Sequence, residues 1–168
     1  MIYSISQHKE IPIIVTKDTQ YIDNILYNKV TRYTVSELSN QSNDIGFVEL
    51  EDTKNGVKVV YIANQQPELY KHFGQVADRI EVEHCLGRGI ENPYIQSVAA
   101  INTHIKHFKR GKRFVNEGIN IYFDSLIKKL KIGEHVMLGF LGYQKMYMPM
   151  NLINEIKAKI KINPLLKG

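Results

Sequence analysis

The sequence predicts an α/β (α+β) chain whose sheet mixes antiparallel and parallel pairing, and three stretches carry that prediction. Residues 45–50 (Ile-Gly-Phe-Val-Glu-Leu) and 57–62 (Val-Lys-Val-Val-Tyr-Ile) read as strands. Asn55-Gly56 between them suits the two positive-φ positions of a tight hairpin turn, so this pair is antiparallel. From Val57 onward the order becomes strand, glycine turn at residues 70–77, helix at 75–86, and a further apolar run at 94–99. Such a crossover joins parallel strands in a right-handed sense. The third stretch, from Val136 to Met148, supplies one or two late strands broken by Gly139 and Gly142 and stopped by Pro149.

The remaining elements follow from local pattern. Residues 11–15 form an apolar first strand, with Pro12 at an edge or a strand start. Asp18 or Thr19 caps a helix whose face carries Ile22, Ile25, Leu26 and Val30. Residues 31–38 alternate weakly, as a strand does, and the polar residues 39–44 are a loop. Gly87-Arg88-Gly89 closes the central helix, where a left-handed residue usually sits. A short helix at 101–109 ends at Gly111, residues 120–130 are amphipathic, and Asn151 caps a last helix carrying Leu152, Ile153, Ile156 and Ile160. Met146, Met148 and Met150 alternate along the late strand as core or cleft lining. No repeat or linker divides the chain, so residues 1–168 are read as one domain.

Hydrophobic residues make up 43% and charged residues 23% of the 168, an ordinary globular balance that argues against disorder. The single Cys85 excludes an internal disulfide and a cysteine-based zinc site, and reads as a small packed residue. Glu81, Glu83 and His84 do not complete a metal set, so no metal is expected. No basic-then-apolar leader and no bilayer-length apolar run is present, which makes a cytoplasmic protein without a membrane partner the expectation. The net charge of +5 is uneven: Lys106, Lys109, Arg110, Lys112 and Arg113 crowd into eight residues. Such a cluster attracts phosphates.

The crossover helix begins at the carboxyl end of a strand, with its first backbone N–H groups unpaired. Those groups and the helix dipole favour an anion, most often a phosphate. The N–H groups of His72, Phe73, Gly74, Gln75 and Val76 are therefore a candidate pyrophosphate site; a plain turn opening a helix is the alternative.

This stretch resembles the GCN5-related N-acetyltransferases. That family binds the acetyl-CoA pyrophosphate with a turn written Gln/Arg-x-x-Gly-x-Gly/Ala, and Lys71-His72-Phe73-Gly74-Gln75-Val76 stands in its place. His107-Phe108-Lys109-Arg110-Gly111-Lys112 stands where the family has a Tyr-x-Lys-x-Gly-Phe type sequence after a short helix. The resemblance covers residues 45–114 by motif and the two ends by element order. It implies a mostly antiparallel central sheet with one splayed parallel pair, acetyl-CoA as co-substrate, and transfer of the acetyl group to a primary amine on a small molecule or protein.

The resemblance also implies roles for particular residues. Lys71 assists the phosphate turn. The backbone of Tyr61, Ile62 and Ala63 meets the pantetheine and the thioester carbonyl. His107 occupies the position of the tyrosine that protonates the departing thiolate, with Tyr143 and Tyr147 as other stand-ins. Val76 replaces a small residue, and its side chain would crowd a diphosphate approaching the backbone. For the base, the residues themselves offer Glu49 and Glu51, which share one strand face with Phe47.

Two other functions are compatible with these residues. A catalytically silent binding module of the same fold is motivated by Val76 and His107. A nucleic-acid surface is motivated by basic and aromatic residues 104–110, although Glu81, Glu83 and Glu91 interrupt the positive field. Exposed edges of the late strands allow a homodimer.

Overall fold

Buried and half-buried positions alternate along residues 30–35 and 47–50, as one covered face requires. The computed structural model describes residues 13–20, 29–68, 70, 72–99, 101–133 and 143–166. Its strands are β1 (Ile13–Gln20), β2 (Val30–Glu37), β3 (Asp44–Thr53), β4 (Gly56–Asn64), β5 (Tyr94–Ala99), β6 (Arg113–Phe114) and β7 (Gln144–Tyr147). The helices are α1 (Phe73–Gly87), α2 (Ile101–Lys109), α3 (Glu117–Lys131) and α4 (Met150–Ile162). The strands form one sheet in the order β1-β2-β3-β4-β5-β7-β6, antiparallel throughout except for the pair β4 and β5.

Paired residues share a face, which locates the core. Val57 lies beside Ile95, Ser97 beside Met146, and Met146 beside Phe114, all on the helix-covered side. The larger core joins Val48, Leu50, Val57, Val76, Ile80, Ile153 and Leu165 beneath α1 and α4. A smaller one joins Phe108, Phe114, Phe123, Leu126 and Met146 beneath α2 and α3. The buried Asn120 of α3 stitches the short β6 in place: its Oδ1 accepts from Phe114 N at 2.7 Å and its Nδ2 donates to Phe114 O at 2.9 Å. A side-chain amide thus does for Phe114 what a neighbouring strand would do.

Several sequence expectations are corrected. Asp18 and Thr19 lie in β1 and Val30 opens β2, because residues 13–20 pair along their whole length with β2; cross-strand pairing outweighs the local capping pattern. Residues 21–28, which carry Ile22, Ile25 and Leu26, lie outside the described residues, as do Pro12 and 134–142. No described residue other than glycine has positive φ, and Gly56 is not among the glycines that do. Gly56 pairs with Thr53 as the first residue of β4, and a Cβ there would collide with the Tyr94 backbone. Glycine is needed at 56 so that β5 can approach β4. The last helix starts at Met150 with Pro149 as its cap, so Asn151 lies inside the first turn and Met150 is not a strand residue. Gly89 does adopt the left-handed φ, +80°, that closes α1.

Candidate active site

The site begins with an irregularity in the hairpin. Glu49 pairs with Tyr61 but Leu50 pairs with Val59, leaving Val60 as an extra residue in β4. A bulge bends its strand and increases the local twist. Pairing between β4 and β5 runs from Gly56↔Tyr94 to Val59↔Ser97 and stops at that point, while β4 continues to Asn64. Beyond Ser97, β5 keeps only β7, with Val98 opposite Lys145 and Ala99 opposite Gln144. The parallel pair is therefore splayed. Tyr61, Ile62 and Ala63 keep their β3 partners on one edge and, among the described residues, have no strand partner on the other.

The chain then turns into α1. Asn64 Nδ2 donates to Tyr70 O at 2.7 Å and Asn64 Oδ1 accepts from Gln66 N at 3.1 Å, which fixes the entry. His72 is the N-cap but its side chain makes no capping hydrogen bond. The opening turn of α1 is thus without a side-chain acceptor, the condition that makes a helix start receptive to an anion. Phe73 and Val76 are buried in the main core, while Gly74 and Gln75 lie on the open side. The crowding expected of Val76 is thereby removed, because its side chain points away from the cradle. Lys71 lies outside the described residues.

Arg110 is the residue that sequence reading left inside a general basic cluster. A Cβ on Gly74 would meet the Arg110 guanidinium at 2.5 Å, so glycine at 74 lets that group lie flat on the first turn. Arg110 Nε donates to Asp78 Oδ2 at 2.9 Å, and its Nη2 donates to His107 Nδ1 at 2.8 Å. A guanidinium only donates, so the His107 ring accepts at Nδ1 and carries its proton on Nε2. Behind them Lys112, 1% exposed, reaches Asp78 at 3.4 Å and Glu81 at 3.1 Å. Burial alone would raise the Asp78 carboxyl, but Lys112 and then Arg110 hold it below the usual carboxylate range. Burial wins at Glu81, pushed up to about 7 despite Lys112. Burial opposes the Lys112 charge, and Glu81 and Asp78 more than restore it. An arginine between an acid and an open helix start could have been suspected from Gly74, Asp78 and Arg110 alone; nothing in the spacing announced that Lys112 would be buried.

Glu49 and Glu51 lie, as expected, on the sheet face with Phe47, opposite the helices. Glu49 forms an ion pair with Arg32 at 3.7 Å, and Arg32 stacks 3.6 Å over Phe47, which stacks in turn on Tyr61. Glu51 sits opposite Lys58, where β4 and β5 are still joined. The structure therefore puts Glu49 beside the splay and Glu51 one register step before it. His107, Gly74 and Asp78 are gathered around Arg110 on the helix side. Tyr143 is 77% exposed, and Tyr147 stacks on Tyr94 on the sheet face away from the helices.

A mostly antiparallel sheet of this order, with one splayed parallel pair leading into a glycine-opened helix, is the arrangement the motif resemblance implied. That is the fold class which the resemblance to the GCN5-related N-acetyltransferases implied. No family model matches it, and no curated protein matches it by sequence. Among solved structures it is similar to an acyl-CoA N-acyltransferase from Pseudomonas aeruginosa, at 8% identity and a TM-score of 0.47, covering 74% of this chain and 71% of that one. It is similar to a Bacillus subtilis acetyltransferase in complex with CoA, at 13% identity and 0.49, covering 81% and 99%. An IAA acetyltransferase from Bacillus cereus is 14% identical at 0.47, covering 80% and 98%. Among the described residues no helix is long and apolar enough to cross a membrane, and no three potential metal ligands cluster.

Proposed function

We propose that this protein is an N-acetyltransferase that moves an acetyl group from acetyl-CoA to a primary amine by direct attack within a ternary complex. The observation that carries the proposal is the end of β4–β5 pairing at Val59 and Ser97, followed directly by the uncapped start of α1. The residues present fit acetyl-CoA: a slot between diverging strands, a β4 edge without a strand partner among the described residues, a helix start, and a guanidinium beside it. Acetyl-CoA supplies the activated acyl carbon and a thiolate leaving group.

The chain's own residues divide the remaining work. The amides of residues 72–76 and the Arg110 guanidinium hold the diphosphate, with Lys71 assisting. The β4 edge at Tyr61, Ile62 and Ala63 offers hydrogen bonds to the carbonyl oxygen as it gains charge. Preorganised donors of this kind are worth about 3 kcal/mol each in the transition state. Glu49, 3.7 Å from Arg32, takes the proton that the attacking amine must lose, directly or through water; Glu51, opposite Lys58, is the weaker candidate. His107, at the position where the resemblance has the tyrosine, offers Nε2–H to the departing sulfur, which leaves as the C–S bond breaks. The acceptor is a small-molecule or protein amine approaching the face that carries Arg32, Phe47, Glu49 and Tyr61.

The test is thiol release from acetyl-CoA with and without a panel of primary amines. Amine-dependent release that falls at least tenfold in Glu49→Gln supports the reading. Absence of acetyl-CoA binding at millimolar concentration removes it.

A further inference from the structure

Ten residues beyond Gly74, about 15 Å along α1, lies a cavity of about 900 Å³ that the acetyl-transfer reading does not use. It opens between the helix-facing side of β1 and β2, the last turns of α1, and the residues after α4. Val15, Leu86, Ile160 and Leu165 give it largely apolar walls. One wall holds a buried polar chain. His84 Nε2 lies 2.7 Å from Asp52 Oδ1, and His84 Nδ1 lies 2.7 Å from the Tyr33 hydroxyl. Asp52 also faces the Arg88 guanidinium, which only donates, at 3.6 Å, so the Asp52 oxygen accepts from Nε2–H, and the Tyr33 O–H donates to Nδ1. Burial and then Asp52 hold the Tyr33 hydroxyl above its ordinary range, so it remains a phenol.

The acids of this region are already satisfied from within. The Glu83 carboxylate accepts from Leu165 N at 2.8 and 2.9 Å and from Leu166 N at 3.0 Å, which pins the chain end to α1. Arg88 donates to the carbonyls of Gly56 and Thr53 as well as facing Asp52. Lys17 is different. It follows Ile13 and Val15 on the helix-facing side of β1 and pairs in register with Tyr33. That position should be apolar by alternation, yet it holds a cation with no ion pair among the described residues, lining the cavity. Lys29 lines the same end.

An apolar space of several hundred cubic ångströms with a few placed polar groups is the usual form of a small-molecule site. We propose that this cavity binds an amphipathic monoanion, an alkyl carboxylate of medium chain length whose body lies along Val15, Leu86, Ile160 and Leu165 and whose headgroup meets Lys17. A cation would face Lys17 and find no uncompensated acid. A neutral alcohol would gain the walls but not the charge. The occupant is therefore distinguished by its headgroup, not by its tail.

The full chain is titrated by calorimetry with decanoate, decanol and decyltrimethylammonium, and separately with acetyl-CoA. The expected result is saturable one-to-one binding of decanoate, at least tenfold tighter than either of the others. Lys17→Glu should weaken it at least tenfold, and Ile160→Trp, which fills the volume, should abolish it, both with acetyl-CoA binding unchanged. Should Ile160→Trp fail to fold, Lys17→Glu decides alone, since that position is exposed. Equal binding of the three probes, no saturable binding of decanoate, undiminished binding in Lys17→Glu, or a crystal structure in which the chain's own residues fill the cavity would each overturn the proposal.

Discussion

In the middle of α1 the buried acids Asp78 and Glu81 face the cations Arg110 and Lys112, whereas nearer its end Glu83 faces backbone amides and His84 faces the Tyr33 hydroxyl and Asp52. One helix thus buries charge in two ways. In the middle, compensation comes from side chains of the α2–β6 connection, which carries the basic cluster toward the cradle. At the end, it comes from the chain terminus and from β2 and β3. The first arrangement places a guanidinium where phosphates are expected; the second leaves a mostly apolar cavity beside a locked polar wall.

The comparison breaks most visibly at Lys112. Lys112→Met leaves Asp78 and Glu81 buried without their shared cation, and removal of one partner of a buried pair costs about 3–5 kcal/mol. Urea unfolding should show a loss of that order, and a loss below about 1 kcal/mol would mean that Arg110 alone compensates both acids.

A second effect separates Glu81 from His84 by sign. Glu81 is raised from 4.5 to about 7, so the folded state binds its proton more tightly than the unfolded chain. That contribution to stability is present below about 4.5 and is lost as pH rises toward 7. His84 is lowered from 6.5, burial being the main cause, so its contribution is present above 6.5 and is lost as pH falls below it. Stability measured from pH 4.5 to 7 in Glu81→Gln should lose the component that falls with rising pH. In His84→Gln the component that rises with pH should disappear instead. Equal profiles in both variants would contradict the assignment.

The smallest effect sets a floor. Lys159 and Glu155 form an exposed i,i+4 pair 4.0 Å apart on α4, and Lys159→Ala should change stability by less than about 0.5 kcal/mol. A larger loss would show that surface charge matters here as much as the buried cluster does.

Residues 45–99 were legible because local pattern and tertiary need agree there: alternation made β3 and β4, and the glycine turn made α1. The register was not legible. Val60 is one more β-branched residue in a run of them, and only pairing with β3 reveals it as the bulge that parts β4 from β5. Gly56 was read through its turn when its reason is the Tyr94 backbone against it. Lys112 and Asn120 are polar residues that the sequence assigns to a surface; their burial depends on Glu81 and on Phe114, each of which arrives from another element. Asp18 and Thr19 have good capping chemistry, but the β2 ladder claims them. Of the candidate site, the glycine-containing start of α1 and the Glu49 face were visible, and the Arg110–His107 contact was not.

The central claim is that acetyl-CoA lies between the parted strands and meets the start of α1. Amide chemical-shift mapping of the labelled protein during an acetyl-CoA titration tests it directly. The account predicts saturable shifts at residues 61–63 and 72–76, reduced or absent in Gly74→Val, with Leu165 and Leu166 at the far cavity unmoved. Saturable shifts confined to the far cavity, or none at millimolar acetyl-CoA, would contradict it.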